Sequence, residues 1–166
     1  MPDVIRLILD DHETFRSRFA ELAKLRDDPK AAAALWKGLS AHLEVHASAE
    51  EEHFYPALLE SVEDSEDETK DAIKDHDEIR DGIRRAAAAE VGSDEWWGGI
   101  QDAREANDEH LAEEERDDIP DFLRAATVEL RQELGAKFAR FENEHPGARG
   151  LSGEDKDPDE YVAENS

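Results

Sequence analysis

Two stretches of this chain combine histidine and glutamate at a spacing that suits metal binding. His46 begins the segment HASAEEEHFYP and His110 begins HLAEEERDDIP. Each histidine is followed four residues later by a glutamate, Glu50 or Glu114, and ten residues later by a proline. Side chains four residues apart lie on the same face of an α-helix. Each stretch therefore predicts a helix that presents an imidazole beside a carboxylate, two groups that bind metal ions through nitrogen and oxygen.

The two stretches belong to a longer internal repeat. His110 follows His46 by 64 positions, and His76 follows His12 by the same 64 positions. The glutamates and prolines of the two stretches obey this offset too, and both His12 and His76 are preceded by an aspartate and followed four residues later by an arginine. Chance would rarely place so many matches at one offset, so the pattern indicates an internal duplication.

Helical periodicity dominates the chain. Apolar residues recur at intervals of three and four, and long alternating patterns are absent, so the sequence predicts an all-α fold. We expect Asp28 to cap a second helix that has Pro29 in its first turn, and Ser93 or Asp94 to cap a fourth. We expect Pro56 to kink the second helix or end its regular hydrogen bonding.

The chain is long enough for one domain with a sizeable core. We predict an up-and-down four-helix bundle with an additional C-terminal helix, covering residues 1–145. The ligand-bearing repeat occupies residues 3–125 and the fifth helix residues 121–144. Residues 146–166 contain few apolar side chains, so we expect them to form a disordered acidic tail.

An antiparallel bundle would bring the repeated histidines to one depth. With the first turn at residues 28–29, His12 lies about 16 residues before it and His46 about 17 after it, which is roughly 25 Å along either helix. The same reasoning places His76 and His110 at matching depth. Four imidazoles and two carboxylates buried together are costly unless something satisfies them, and a pair of metal ions does so.

The composition narrows the metal and the partners. The chain has no cysteine, so any metal binds through nitrogen and oxygen, which suits iron, with manganese or zinc as less favoured alternatives. With 45 acidic and 20 basic residues the net charge is −25, which repels nucleic acid and anionic membranes. The sequence has neither an apolar run long enough to span a bilayer nor a secretion signal. We therefore expect a soluble, cytoplasmic protein without nucleic-acid or membrane partners.

These residues resemble a known family. The two stretches, together with His12 and the pair Asp75-His76, are similar in spacing and order to hemerythrin-like proteins, the hemerythrin HHE cation-binding domains, over about residues 3–125. The resemblance implies a non-haem di-iron centre with a carboxylate bridge and an oxo or hydroxo bridge. It places the metal ligands at His12, His46, Glu50, His76, His110 and Glu114.

One position departs from the pattern of the oxygen-carrying members. They place a second histidine four residues after the third-helix histidine, where this chain has Arg80. His42 or His53 is an alternative ligand, since both share the face of His46; otherwise the position is left to water or an external ligand. Arg80 and its counterpart Arg16 either pair with acidic neighbours or line the pocket. The remaining glutamates are expected on solvated helix faces: Glu51, Glu52, Glu113 and Glu115.

The resemblance implies a function in binding dioxygen or a related small oxidant such as peroxide, with nitric oxide as a further candidate, for sensing, storage or scavenging. Catalase-like decomposition of peroxide is the closest alternative. Ferritin-like iron storage is more distant and would use the Glu-x-x-His spacing of Glu50 and His53. A zinc-holding interaction module is the remaining alternative.

Overall fold

The computed structural model describes all 166 residues, and it contains helices but no strands, as predicted. Two π-helical turns, Glu50–Phe54 and Glu114–Asp118, join α2 to α3 and α5 to α6, and a 3-10 turn at Pro146–Ala148 follows α7. No helix is both long enough and apolar enough to cross a bilayer. The α-helices are α1 (Val4–Ala23), α2 (Pro29–Ala49), α3 (Tyr55–Ser61), α4 (Glu66–Ala87), α5 (Asp94–Glu113), α6 (Ile119–Ala125), α7 (Val128–Glu144) and α8 (Pro158–Asn165).

Side-chain caps begin several of the long helices, including α2 and α5. The carboxylate of Asp28 accepts a hydrogen bond from the backbone N–H of Ala31, and Pro29 occupies the first turn of α2, which confirms that prediction. At the start of α5 the cap is Ser93, whose hydroxyl accepts from the N–H of Trp96 at 3.2 Å. These caps satisfy backbone donors that have no partner within the helix.

Consecutive long helices run antiparallel. His12 of α1 lies beside His46 of α2, with ring centroids 5.4 Å apart, and the far ends of the same helices bring Phe19 next to Trp36. In the second half His76 of α4 contacts His110 of α5. Four long helical segments therefore surround the histidines, an arrangement that fits the predicted bundle.

Helices α4 and α5 pack with their backbones close together at two glycines. A Cβ atom on Gly99 would lie 2.5 Å from the backbone nitrogen of Ala86, and one on Gly82 would lie 2.6 Å from that of Ala103. Helix propensity alone makes Gly99 unfavourable. The close packing of the two backbones explains why a residue without a side chain stands there.

Two apolar clusters fill the interior on either side of the histidines. One contains Phe15, Phe19 and Trp36 near the turns that join α1 to α2 and α4 to α5. The other contains Phe54 and Phe138 near the π-helical turns. The polar centre is thus a layer between two dry clusters, which keep water away from both its sides.

The π-helical turns follow from the repeated prolines. The N–H of Tyr55 bonds to the carbonyl of Glu50, five residues back, directly before Pro56, which has no N–H to continue the regular pattern. The turn before Pro120 is built in the same way, with Ile119 bonding to Glu114. The predicted loss of regular hydrogen bonding at Pro56 is confirmed, and both turns begin at the repeated glutamates.

The prediction of one continuous fifth helix over residues 121–144 is wrong. Ala126 adopts an extended conformation, with φ −86° and ψ 140°, and ends α6. The hydroxyl of Thr127 then accepts from the N–H of Leu130 and starts α7. The apolar periodicity continues across this break, so periodicity alone did not reveal the cap.

The prediction of a disordered tail over residues 146–166 is also wrong. Asp157 caps α8 and Pro158 occupies its first turn, while Tyr161 and Val162 are buried against the bundle. An ion pair of 2.9 Å between Lys70 and Asp159 adds a polar contact to α4. The composition of the segment led to the wrong prediction because the packing of Tyr161 and Val162 against the bundle orders it.

Candidate metal centre

The structure brings the six sequence-predicted ligands together in the interior. All six side chains are buried, the most exposed of them, His46, at only 3%. The Nε2 atoms of His76 and His110 are 3.2 Å apart. The four long helices each contribute one histidine, and the π-helical turns that follow α2 and α5 contribute Glu50 and Glu114.

Glu50 lies between two pairs of histidines. Its Oε1 is 2.9 Å from Nε2 of His46, while its Oε2 is 3.1 Å from Nε2 of His76 and 3.5 Å from that of His110. Two ligand groups result, His12 with His46 and Glu50, and Glu50 with His76 and His110; within each, one donor atom per residue lies within 4.8 Å of the others. One carboxylate is thus common to both groups.

Glu114 approaches the same two histidine pairs from the second π-helical turn. Its Oε2 lies 3.1 Å from Nε2 of His12 and 3.9 Å from Nε2 of His110. Its Oε1 accepts a hydrogen bond of 2.9 Å from the hydroxyl of Tyr55, which is fully buried. Burial, and then the charge of Glu114, raises the pKa of Tyr55 well above its usual value, so the hydroxyl keeps its proton and remains a donor.

Each histidine directs its second nitrogen toward an outer carboxylate. This contact orients the ring so that Nε2 points into the centre, an arrangement that metal-binding histidines commonly show. The Nδ1 contacts are His12 with Glu115 at 2.9 Å, His46 with Asp11 at 2.8 Å, His76 with Glu51 at 2.9 Å, and His110 with Asp75 at 3.7 Å.

The outer carboxylates follow the 64-residue repeat, as do the arginines beside them. Glu115 pairs with Arg16 at 2.8 Å, and Glu51 pairs with Arg80 at 2.8 Å. Arg80 also binds Glu44, so its guanidinium is engaged with acidic neighbours around the centre. The expectation of solvated faces is wrong for Glu51, which is buried, and for Glu115, which is partly buried.

A signal for these outer residues was present in the sequence. Glu51 and Glu115 are related by the same 64-residue offset as the inner residues. Exposed positions are related by this offset too, so the offset alone does not show which glutamates face the interior. The π-helical turn decides this, because its extra residue per turn reduces the angle between successive side chains. Glu50 and Glu51 consequently both face the interior.

Opposite charges shift the pKa values of the metal-free centre. Burial lowers the pKa of His46, but Glu50 and Asp11 outweigh it and raise that pKa to about 10. Burial likewise opposes protonation of His110, whose pKa its contacts with Asp75 and Glu50 raise well above the usual value. Burial would raise the pKa of Glu50, yet the surrounding histidines hold it well below its usual range. Positively charged imidazoles and negatively charged carboxylates therefore lie beside one another in the buried interior.

Several buried polar atoms at the centre have no hydrogen-bond partner. These atoms face one another at short distances without hydrogen-bond geometry, which is costly in a dry interior but suits donors that share a cation. The residues present thus fit a metal centre. The unpartnered atoms are Nε2 of His12, Nε2 of His46, Oε1 of Glu50 and Oε2 of Glu114.

The structure keeps His42 and His53 out of the inner group. Nε2 of His42 lies 2.9 Å from Oδ1 of Asp11, and these two residues form a separate, half-buried group with Glu142. His53 packs edge-on against the ring of Phe141, with centroids 5.8 Å apart. Neither residue replaces the histidine that the oxygen-carrying pattern has at position 80.

The all-α fold and the buried group of imidazoles and carboxylates identify this chain as a metal-binding helical protein. The profile of the family described as Hemerythrin HHE cation binding domain matches residues 3–122, and the chain belongs to this family. Comparisons with curated proteins and with solved structures find no match.

Proposed function

We propose that this protein holds two iron ions at the buried centre and binds dioxygen or a related small oxidant there, for sensing, storage or scavenging. The observation that carries this proposal is the sharing of Glu50 by two groups of histidines. A single carboxylate with one oxygen toward each pair is the arrangement expected of a bridge between two ions.

The donor set favours iron over other metals. Each group offers two imidazoles and one carboxylate, a combination typical of non-haem ferrous sites with open coordination positions. No thiolate is present, because the chain has no cysteine. Manganese and zinc accept the same donors and are the alternatives that metal analysis separates from iron.

The chain's own residues would hold and tune the ions. His12 and His46 would bind one ion, His76 and His110 the other, and Glu50 both. Glu114 would add an oxygen that faces both pairs, while its other oxygen stays with Tyr55. When bound, a pair of iron ions supplies two electrons that a small oxidant can accept. The apolar clusters on either side exclude bulk water from the oxidant's position.

The contacts of Arg80 weigh against simple oxygen carriage. Its guanidinium pairs with Glu44 and Glu51 and occupies the place of the carriers' second histidine without offering a metal donor. A bound ion would therefore have one position left for water, peroxide or nitric oxide. A coordination position that can accept peroxide supports catalase-like peroxide decomposition as the second candidate function.

Metal analysis of the purified protein, followed by stopped-flow mixing with dioxygen and with peroxide, tests the proposal. We expect two irons per chain, absorption typical of a bridged ferric pair, and rapid spectral change on exposure to an oxidant. Gas evolution from peroxide without a stable dioxygen adduct would favour the catalase-like alternative. One zinc ion per chain, or no metal after incubation with ferrous iron, would overturn the di-iron proposal.

A further inference from the structure

The internal duplication gives the centre two equivalent flanks, and one of them is closed. Helix α7 lies over the flank formed by α1 and the first π-helical turn. Val4 and Ile8 of α1 and Phe54 of the turn are fully buried there, in the cluster that contains Phe138 and Phe141 of α7. An apolar seal of this kind blocks a hydrated ion.

The equivalent flank of the second half is open. A cavity of about 90 Å³ lies between α4 and the second π-helical turn and reaches the proposed ligands His110 and Glu114. Its volume has room for about three water molecules. We call its carboxylate lining the acidic funnel, which comprises Glu68, Asp71, Asp75, Glu113, Asp117 and Asp118.

The 64-residue offset shows how the flanks diverged. Four positions that are apolar on the closed flank are acidic on the open one, so the two flanks differ in charge as well as in shape. The counterparts are Val4 and Glu68, Leu7 and Asp71, Ala49 and Glu113, and Phe54 and Asp118.

Buried carboxylate atoms without partners face this cavity. Asp118 is only 6% exposed, and its side chain makes no hydrogen bond or ion pair within the chain. Oδ2 of Asp75, which lies 3.7 Å from Nδ1 of His110, is also buried without a hydrogen-bond partner. Carboxylates that line one cavity without partners are costly, and a cation within the cavity removes that cost.

We propose that the acidic funnel binds hydrated divalent cations and is the route by which they reach the metal centre. Glu68 and Asp71 are exposed at its outer end and have no cationic partner, whereas Asp118 and Asp75 lie deeper, next to His110 and Glu114. Arg116, the one arginine or lysine of the lining, is paired with Asp117 at its surface. Clefts lined by one sign of charge concentrate the opposite ion and accelerate its association.

Anaerobic stopped-flow loading of the full-length metal-free protein with ferrous iron tests this inference, which rests on the proposed function. The funnel variant is Glu68→Gln with Asp71→Asn. The control variant, Glu78→Gln with Asp81→Asn, removes the same charge from exposed positions of the same helix, outside the funnel. Each variant is compared with the unaltered protein for loading rate, final iron content and ferric spectrum.

We expect the funnel variant to load roughly three- to ten-fold more slowly at low ionic strength, with the same final iron content and spectrum. The difference should shrink at high salt, because salt screens the charges. The control should load close to the unaltered rate. Charge reversal by Asp71→Lys alone changes the funnel charge by the same two units as the double variant and should slow loading to a similar extent.

Two other outcomes separate the failure of this inference from that of the proposed function. Equal loading rates in the funnel variant and the unaltered protein, with two irons bound in both, would overturn the funnel inference and leave the proposed function standing. Failure of the unaltered protein to take up two irons would overturn both.

Discussion

Glu51 lies 2.9 Å from Nδ1 of His76 and is itself held in place. Arg80 donates to its carboxylate, Lys156 pairs with the same group, and the hydroxyl of Tyr161 donates to its backbone carbonyl. The corresponding contact in the other half, from Glu115 to His12, has support only from the more exposed Arg16. The two halves of the centre are therefore equivalent in their inner residues and unequal in their outer ones.

Replacing an outer carboxylate should weaken metal binding while the inner residues remain intact. We expect Glu115→Ala to reduce iron affinity about 10- to 100-fold, because His12 loses the contact that orients its ring. Anaerobic titration against a chromophoric chelator measures this change. Glu52→Ala is the matched control, since it removes an exposed glutamate from the other π-helical turn. Equal affinities of the two variants would show that the outer contact does not orient the ligand.

Loss of the shared carboxylate should affect both ions together. We expect Glu50→Ala to prevent stable binding of either ion, because both ligand groups include Glu50. The measurement is iron content per chain after gel filtration, with circular dichroism as a check on folding. His53→Ala should retain two irons, whereas a ferritin-like site would lose its metal. A Glu50→Ala protein that retains one tightly bound iron would contradict the shared-ligand arrangement.

Metal binding should strengthen as the pH rises. His46 has a pKa raised to about 10, and that of His110 is raised as well, so both carry a proton near pH 7 in the metal-free protein. A metal ion must displace these protons, and each proton released contributes up to about ten-fold in apparent affinity per pH unit. Titrations with zinc in weakly buffered solution between pH 6 and pH 8 should show both the trend and the released protons. Affinity that is constant across this range would contradict the prediction.

The same shifts predict the opposite trend for the stability of the metal-free protein. A histidine with a raised pKa in the folded state contributes stability that is complete below its unfolded pKa of 6.5 and is lost as the pH rises toward 10. Denaturant unfolding of chelator-treated protein should therefore show a decline attributable to His46 in this window. His46→Gln should flatten the decline.

Helix α8 should depend on its buried aromatic side chain. We expect Tyr161→Ala to release α8 and cost about 2 to 4 kcal/mol, because it empties a packed position and removes the hydrogen bond to Glu51. Hydrogen exchange of the α8 amides and denaturant unfolding measure the two effects. The matched control Tyr161→Phe keeps the ring and should cost about 1 kcal/mol. Iron release should be faster only in the alanine variant, since only there does Glu51 become exposed.

The convergence of the four histidines in the interior was predictable because duplication and helical geometry act together. An offset of 64 residues selects His12, His46, His76 and His110, and antiparallel helices of matching length bring them to one depth. Short-range chemistry also identified the cap at Asp28 and the loss of regular hydrogen bonding before Pro56. Each of these features depends on residues close in sequence or related by the repeat.

The features that escaped prediction depend on contacts that a sequence does not display. The inward turn of Glu51 depends on the extra residue of a π-helical turn, and the order of α8 depends on a surface supplied by α4. The sequence contains one local sign of the break at Ala126, because Thr127 is a residue type that favours helix N-caps. The helical spacing of apolar residues continues on both sides of the break, so this sign was missed.

The close packing of α4 and α5 at Gly82 and Gly99 limits how far apart the two helices lie beside the centre. Gly82 lies six residues, or about 9 Å of helix, beyond His76 on the same rigid rod. Any side chain at the crossing would wedge α4 away from α5, and the opening would be transmitted along both rods to His76 and His110. The separation of His76 and His110, which would bind one ion together, is thus set by a pair of glycines that lie outside the centre.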